Sequence, residues 1–279
     1  MAQILDGKAL AKKIKEQVAA EAAALPRRPG LAVILVGENP ASQVYVRGKE
    51  KDCEECGILN PGRKLPVDTS EEELLGIIAQ MNADPAVDGI LVQLPLPKHI
   101  DEGKVLRAIS PAKDVDCFHP ENVGEMMVGD PICWPCTPYG VMELLREYGI
   151  SAAGKHCVVL GRSNIVGKPM TLLLLRDNGT VTVCHSRTPD LKEQCLRADI
   201  LVAAVGKVNL VTADMVKDGA VVVDVAMNRN EAGKLCGDVD YAAVAEKASY
   251  ITPVPGGVGP MTRAILMKNV LAAAKDHQK

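Results

Sequence analysis

Val158-Val159-Leu160-Gly161-Arg162-Ser163-Asn164-Ile165-Val166-Gly167-Lys168-Pro169-Met170 opens as an unbroken apolar, β-branched run, stops on a glycine and resumes with a proline in what reads as a first helical turn. A buried strand ending in glycine and followed by a helix N-terminus points backbone N–H groups and a positive helix end at one place, where an anion is favoured. The spacing is not Gly-x-Gly-x-x-Gly, because Arg162 and Ser163 follow the first glycine, and no Gly-Lys-Ser/Thr closes a Walker loop. On its own the run is equally readable as an ordinary strand-to-helix turn.

The run closes a strand expected over 156–160, and further strands are expected downstream at 180–184, 200–205, 220–225 and 250–252, with helical or turn segments between them. Upstream, a helix is expected from Asp6, where Leu10, Ile14 and Val18 recur at helical spacing. Pro26 and Pro29-Gly30 end it before Leu-Ala-Val-Ile-Leu-Val at 31–36, a buried strand. Helices at 41–56 and from Glu71 to Met81, the second capped by Thr69-Ser70, flank a strand over 88–93. Unalternated apolar strands joined by helices imply parallel sheets covered on both faces, and a helix over 139–148 separates two such runs. The last helix, 261–275, lies beyond a Pro/Gly-rich segment and is expected to pack back on the first half, making that domain discontinuous.

Composition narrows the function. The 279 residues carry 32 Lys plus Arg against 35 Asp plus Glu, a formal charge of -3, so there is no basic excess for a nucleic-acid backbone. Seven aromatics are too few for a base-stacking platform. The N-terminus lacks the apolar stretch of a secretory signal, and the apolar runs are far shorter than the ~20 residues of a membrane span. Nine scattered cysteines suit a reducing compartment. The expectation is a soluble cytoplasmic protein without a metal site, since the five histidines show no ligand spacing.

Candidate site residues fall at strand ends and on one helix face. After Val181-Thr182-Val183-Cys184-His185, Ser186 and Arg187 stand where an acid would bind an adenosine ribose; with Arg162 they suit a 2′-phosphate, which favours NADP over NAD. Tyr45 and Lys49 are four apart and share a helix face. Gln93 closes an apolar strand, where open α/β sheets collect ligands. The segment 253–260 is so rich in Gly and Pro that it can offer backbone groups at fixed positions to a planar ligand.

Seven motifs in order, Tyr45-Val-Arg-Gly-Lys49, Gly89-Ile-Leu-Val-Gln93-Leu-Pro-Leu-Pro97, Lys113-Asp-Val-Asp116, Pro135-Cys-Thr-Pro138, Gly161-Arg-Ser-Asn-Ile-Val-Gly-Lys-Pro169, Gly237-Asp-Val-Asp240 and Pro253-Val-Pro-Gly-Gly-Val-Gly-Pro-Met-Thr262, closely resemble the bifunctional methylenetetrahydrofolate dehydrogenase/methenyltetrahydrofolate cyclohydrolase family. The resemblance implies two α/β domains, a parallel-sheet catalytic domain (1–138 plus 262–279) and a Rossmann-type NADP-binding domain (139–261), with the active-site cleft between them. It implies NADP-dependent oxidation of 5,10-methylenetetrahydrofolate, then hydrolysis of the methenyl cation to 10-formyltetrahydrofolate, in one-carbon metabolism and purine biosynthesis, by a homodimer. By position, Lys49 would be the catalytic lysine, Tyr45 would position the folate, Gln93 would tune Lys49 and Asp116 would anchor the pterin. Leu94, Pro255, Gly256 and Val258 would join them on the folate. Gly161, Arg162, Ser163, Ile165, Val166, Ser186, Arg187 and Met227 would line the cofactor site. A lysine beside a cationic substrate is pushed toward its neutral form, which suits it to the proton transfers of hydrolysis.

Two departures stand out. Cys117 occupies the place of the family's usual Gly after Asp-Val-Asp, and Ala226-Met227 that of Gly-Ile; if position 117 needs a positive φ, a cysteine there is strained. Two other classes compete. Cys133-Trp-Pro-Cys136 ahead of a helix mimics a thiol-disulfide redox pair. A non-catalytic nucleotide-binding module would keep the Gly161 turn but have no use for Tyr45, Lys49 and Gln93 together. The Cys53/Cys56 and Cys133/Cys136 pairs lie too far apart in sequence for a zinc ribbon.

Overall fold

A computed structural model describes residues 1–129 and 131–279. The strands are β1 (Gln3–Ile4), β2 (Leu31–Val36), β3 (Arg63–Leu65), β4 (Gly89–Val92), β5 (His156–Leu160), β6 (Thr180–Cys184), β7 (Ile200–Ala203), β8 (Val221–Asp224), β9 (Asn228–Arg229), β10 (Leu235–Cys236) and β11 (Tyr250–Ile251). The helices are α1 (Gly7–Ala23), α2 (Pro40–Glu55), α3 (Glu71–Ala83), α4 (Glu102–Ala108), α5 (Pro120–Val128), α6 (Cys136–Glu147), α7 (Gly167–Arg176), α8 (Leu191–Leu196), α9 (Tyr241–Val244) and α10 (Val258–His277). The chain divides into two compact units, residues 1–12 with 135–262 and residues 13–134 with 263–279.

The unit of 13–134 and 263–279 holds a parallel sheet in the order β3-β2-β4. Every residue of β2 and of β4 is buried, because both faces of the sheet are covered; this is why their sequences do not alternate. Helix starts follow side-chain chemistry. Asn39 accepts from the N–H groups of Ala41 and Ser42 at the head of α2, and Ser70 accepts from Glu73 N–H at the head of α3, with three acids in that first turn. The end of α10 is fastened by Asp88, fully buried, which accepts two hydrogen bonds from Arg27, one from Gly30 N–H, and faces His277 Nδ1 at 3.1 Å. Residues 263–279, most of the closing helix, thus group with the earlier part of the chain.

The unit of 1–12 and 135–262 carries a parallel sheet in the order β1-β11-β8-β7-β5-β6. β5 and β6 have the expected limits; β7, β8 and β11 are a residue or two shorter. The first twelve residues fall in this unit, whereas the sequence expectation placed them with the other. Gln3 and Ile4 pair with Tyr250 and Ile251, and Asp6 N–H donates to the Tyr148 hydroxyl at 2.8 Å. Two residues are too few to show a period, so β1 leaves no trace in the sequence. The unit also begins at Pro135, ahead of the expected Tyr139: Thr137 Oγ1 lies 2.9 Å from Thr262 Oγ1, which ties two of the quoted motifs together. β3 and the β9–β10 ribbon were likewise not expected. Among the described residues no helix is long and apolar enough to cross a membrane.

Candidate functional site

Helix α2 presents Tyr45, Lys49 and Asp52 along one face, three and four residues apart. The face sinks inward along its length: Tyr45 is 40% exposed, Lys49 half-buried and Asp52 buried. Lys49 Nζ donates to Gln93 Oε1 at 3.1 Å, and Gln93 Nε2 donates to Leu94 O at 2.7 Å. The second bond decides which end of the amide meets the lysine, leaving the acceptor oxygen toward Nζ. Gln93 is held there because its own N–H continues the β4 ladder to Ile34 O at 2.8 Å.

Asp116 lies on a loop anchored from both sides. Asp114, buried, bridges in parallel to Ile90 and accepts from His119 N–H at 2.7 Å and from Asn122 Nδ2 at 2.9 Å. Burial pushes the Asp114 carboxyl up, against the pull of those donors. Val115 is fully buried, and its carbonyl accepts from Asn269 Nδ2 at 2.8 Å. Asp116, half-buried, follows these two fixed residues, and the loop leaves in the direction in which β4 runs to Gln93. Cys117 has φ 61°, so the strain that a cysteine at this place would carry is present.

Arg263 did not stand out in the sequence. Its guanidinium packs where a Cβ on Gly48 would sit, 2.3 Å from Nη1, and pairs with Asp52 Oδ2 at 3.3 Å. Lys15 holds the other Asp52 oxygen at 2.8 Å. Burial pushes the Tyr45 phenol up, and the Arg263 charge opposes it. A glycine one position before the catalytic candidate was the available signal: it marks a close approach, but not by which side chain.

In the other unit, Gly161 has φ 114°, and a Cβ there would lie 2.3 Å from Ala204 O, so only glycine fits this turn. The expectation that free N–H groups of the α7 N-terminus face an anion needs correcting. Ser163 Oγ accepts from Val166 N–H at 3.2 Å and from Gly167 N–H at 3.3 Å, so these two donors are committed. The Ser163 hydroxyl keeps its own hydrogen to donate, on an exposed residue beside exposed Arg162 and Ile165. Leu160 pairs with Cys184, so Arg162 and Ser186 each stand two residues beyond the end of neighbouring strands; Ser186 and Arg187 are exposed too. Among the described residues neither Arg162 nor Arg187 is in an ion pair, and this donor set suits a phosphate. Val166 is half-buried, at the head of α7.

Met227, 44% exposed, follows β8, and its Cε lies 3.1 Å from where a Cβ on Gly259 would be. Pro255, Gly256 and Val258 are in this unit with it; Pro255 is exposed, whereas the Val258 side chain is buried. Lys49, Gln93, Leu94, Tyr45 and Asp116 are all in the other unit.

The redox reading of Cys133 and Cys136 fails. Both are buried, none of the nine cysteines is in a disulfide, and burial pushes Cys133 up to about 12, the reverse of an activated thiol. Among the described residues no three His, Cys, Asp or Glu side chains form a metal-binding group.

Residues 5–116 match the family model for the tetrahydrofolate dehydrogenase/cyclohydrolase catalytic domain, and residues 135–278 the model for the NAD(P)-binding domain of the same proteins. A "Bifunctional protein FolD" from Magnetococcus marinus is 60% identical over 279 residues, covering 99% of this chain and 98% of the relative. The crystal structure of the bifunctional FolD methylenetetrahydrofolate dehydrogenase/cyclohydrolase from Campylobacter jejuni superposes with a TM-score of 0.97 at 51% identity, covering 99% of each chain. That of the Trypanosoma brucei enzyme, complexed with NADP cofactor and inhibitor, gives 0.95 at 42% identity, covering 99% of this chain and 98% of the other. The NAD-dependent yeast dehydrogenase, at 22% identity and a TM-score of 0.80, shares the fold.

Proposed function

The chain belongs to the tetrahydrofolate dehydrogenase/cyclohydrolase family, and from that premise we propose how its own residues divide the work of the two reactions. The enzyme oxidises 5,10-methylenetetrahydrofolate to the methenyl cation with NADP and hydrolyses that cation to 10-formyltetrahydrofolate. NADP, when bound, supplies the hydride acceptor. Hydride loss leaves a positive charge shared by two nitrogens, so the first step asks the protein for alignment more than for a strong base.

The observation that carries the reading is the Lys49–Gln93 hydrogen bond. Hydrolysis needs a group that takes a proton from water and delivers one to the departing nitrogen. An amine held by a neutral amide oxygen is oriented without a negative charge to fix its proton, and a cationic substrate beside it favours the neutral amine further. Lys49 is therefore the proton-transfer group, Gln93 its positioning partner, Tyr45 the ring against which the folate lies, and Asp116 the acceptor for the donor edge of the pterin, with Leu94 beside them. Pro255, Gly256 and the backbone at Val258 are assigned to the folate as well. Arg162, Ser163, Ser186 and Arg187 take the phosphates of NADP, the two arginines the 2′-phosphate, while Gly161, Ile165, Val166 and Met227 line the rest of the cofactor site. Nine unbridged thiols support a reducing, cytoplasmic setting, and the working form is a homodimer, checked by sedimentation.

The test is one cuvette. Methylenetetrahydrofolate with NADP, or with NAD, is followed by absorbance until methenyl forms, and its decay is then followed in the same sample. Wild type is expected to show both phases with NADP, and Lys49→Met to lose the decay. A Lys49→Met enzyme that hydrolyses methenyl substrate at the wild-type rate would remove Lys49 from the mechanism.

A further inference from the structure

Asp238 is fully buried and takes part in neither reaction, yet its carboxylate collects four donors. Oδ2 accepts from Val205 N–H at 2.7 Å and Gly206 N–H at 3.0 Å; Oδ1 accepts from Lys207 N–H at 2.6 Å and from Asn228 Nδ2 at 2.9 Å. Three successive backbone N–H groups after β7 are thus held by one side chain. A second buried acid, Asp224 at the end of β8, holds the segment that carries the first: Oδ1 accepts from Ala226 N–H and Asp238 N–H, both at 3.1 Å, and Oδ2 from Val239 N–H at 2.8 Å.

The consequence lies at the carboxyl ends of the strands, where an open parallel sheet binds its ligand. The loop that Asp238 gathers begins at Ala204, whose carbonyl backs directly on Gly161. The side chain it holds at 228 is next to Met227. One carboxylate therefore sets the loop after β7 against the Gly161 turn and, through Asn228, the segment after β8. Charge-assisted bonds to backbone N–H groups are stronger than neutral ones, and in a buried place they are not screened.

We propose that Asp238 is a positioning residue for NADP, fixing the loops after β7 and β8 in their cofactor-binding form without touching the cofactor. The proposal rests on the assignment of the Gly161 turn, Arg187 and Met227 to NADP. It predicts a split between the two activities, because methenyl hydrolysis consumes no cofactor.

Asp238→Asn keeps the shape but replaces one acceptor oxygen by an N–H2 facing N–H donors. With NADP titrated by calorimetry, this variant is expected to bind at least tenfold more weakly and to show a raised KM for NADP. Its kcat at saturating NADP should be largely kept, and methenyl hydrolysis measured without NADP should stay within twofold of wild type. Asn228→Ala, which removes one donor and leaves the carboxylate in place, should weaken NADP several-fold with the same sparing of hydrolysis; it carries the test if Asp238→Asn does not fold. Arg187→Ala is run beside them. Weakened binding in Arg187→Ala with wild-type affinity in the folded Asp238 or Asn228 variant overturns the proposal while the cofactor assignment stands. Unchanged affinity in all of them overturns the assignment and the proposal together. Equal loss of both activities with a lowered melting temperature marks Asp238 as structural only and overturns the proposal as well.

Discussion

Lys49 Nζ and Gln93 Oε1 are 3.1 Å apart, although the two residues are separated by 44 positions and sit on a helix and at the end of a strand. The bond survives either protonation state of the amine, since both carry a hydrogen to donate. That makes Gln93 a holder of Lys49 through the whole proton cycle. Replacing Gln93 by Glu should hold the proton on Lys49 and shift the pH profile of hydrolysis to higher pH, whereas Gln93→Leu should lower kcat without that shift. Lys49→Met should lower hydrolysis by about a hundredfold or more, the usual scale of a lost general acid–base group. Stopped-flow decay of methenyl absorbance against pH checks all three.

Arg162 and Arg187 should separate NADP from NAD. Removing both guanidinium groups is expected to weaken NADP by at least about tenfold while leaving NAD little changed, because only the 2′-phosphate differs between them. Calorimetric titration of the double variant with each nucleotide gives the answer, and equal losses would place the 2′-phosphate elsewhere.

Cys117 bears two opposed effects. Its φ of 61° costs a residue other than glycine roughly 1–2 kcal/mol. Its buried thiol contributes roughly 1 kcal/mol of packing. Cys117→Gly should therefore change stability by less than about 1 kcal/mol. Cys195→Gly, inside α8 and fully buried, should cost about 2 kcal/mol, with nothing to offset it. Paired urea titrations compare them.

Asp88 ties Arg27, Gly30 and His277 together. Burial works to raise its carboxyl, but Arg27, the Gly30 N–H and His277 outweigh it and hold it below the usual value. A depressed native value means stability present above the unfolded value of about 4 and lost as the pH falls through the native one. Asp88→Asn should cost about 3 kcal/mol at neutral pH and lose less than wild type on acidification. Denaturation midpoints between pH 7 and pH 3 test the sign.

Asp224 should behave oppositely. Burial raises it to about 6, against the backbone N–H groups of Asp238, Val239 and Ala226 that favour its charged form. Here the native state binds the proton more tightly than the unfolded chain, so this group's contribution falls as the pH rises from about 4 to about 6 and is level above that. A carbon-13 titration of the side-chain carboxyl should give a midpoint near 6, and a midpoint below 4 would refute the assignment.

The strands with continuous apolar sequence were legible because burial on both faces leaves no polar residue in them: β2, β4 and β5 are buried almost throughout, and the expected limits lie within a residue of the observed ones. The Tyr45–Lys49 face and the Gly161 turn were legible for another reason: helical spacing and a strand-ending glycine are local facts. Nothing local reveals what meets them. Arg263 against Gly48, and Asp114 and Asn269 around the Asp116 loop, are pairings set by packing. β1 and β3 escaped notice because two or three residues carry no period; they are strands only because a neighbouring strand offers its ladder. The amino-acid order thus determined which segments could be helix or strand and which side chains had the chemistry. Tertiary structure alone decided which of those side chains share a proton, a carboxylate or a loop, because such bonds join residues tens to hundreds of positions apart and depend on how the layers close.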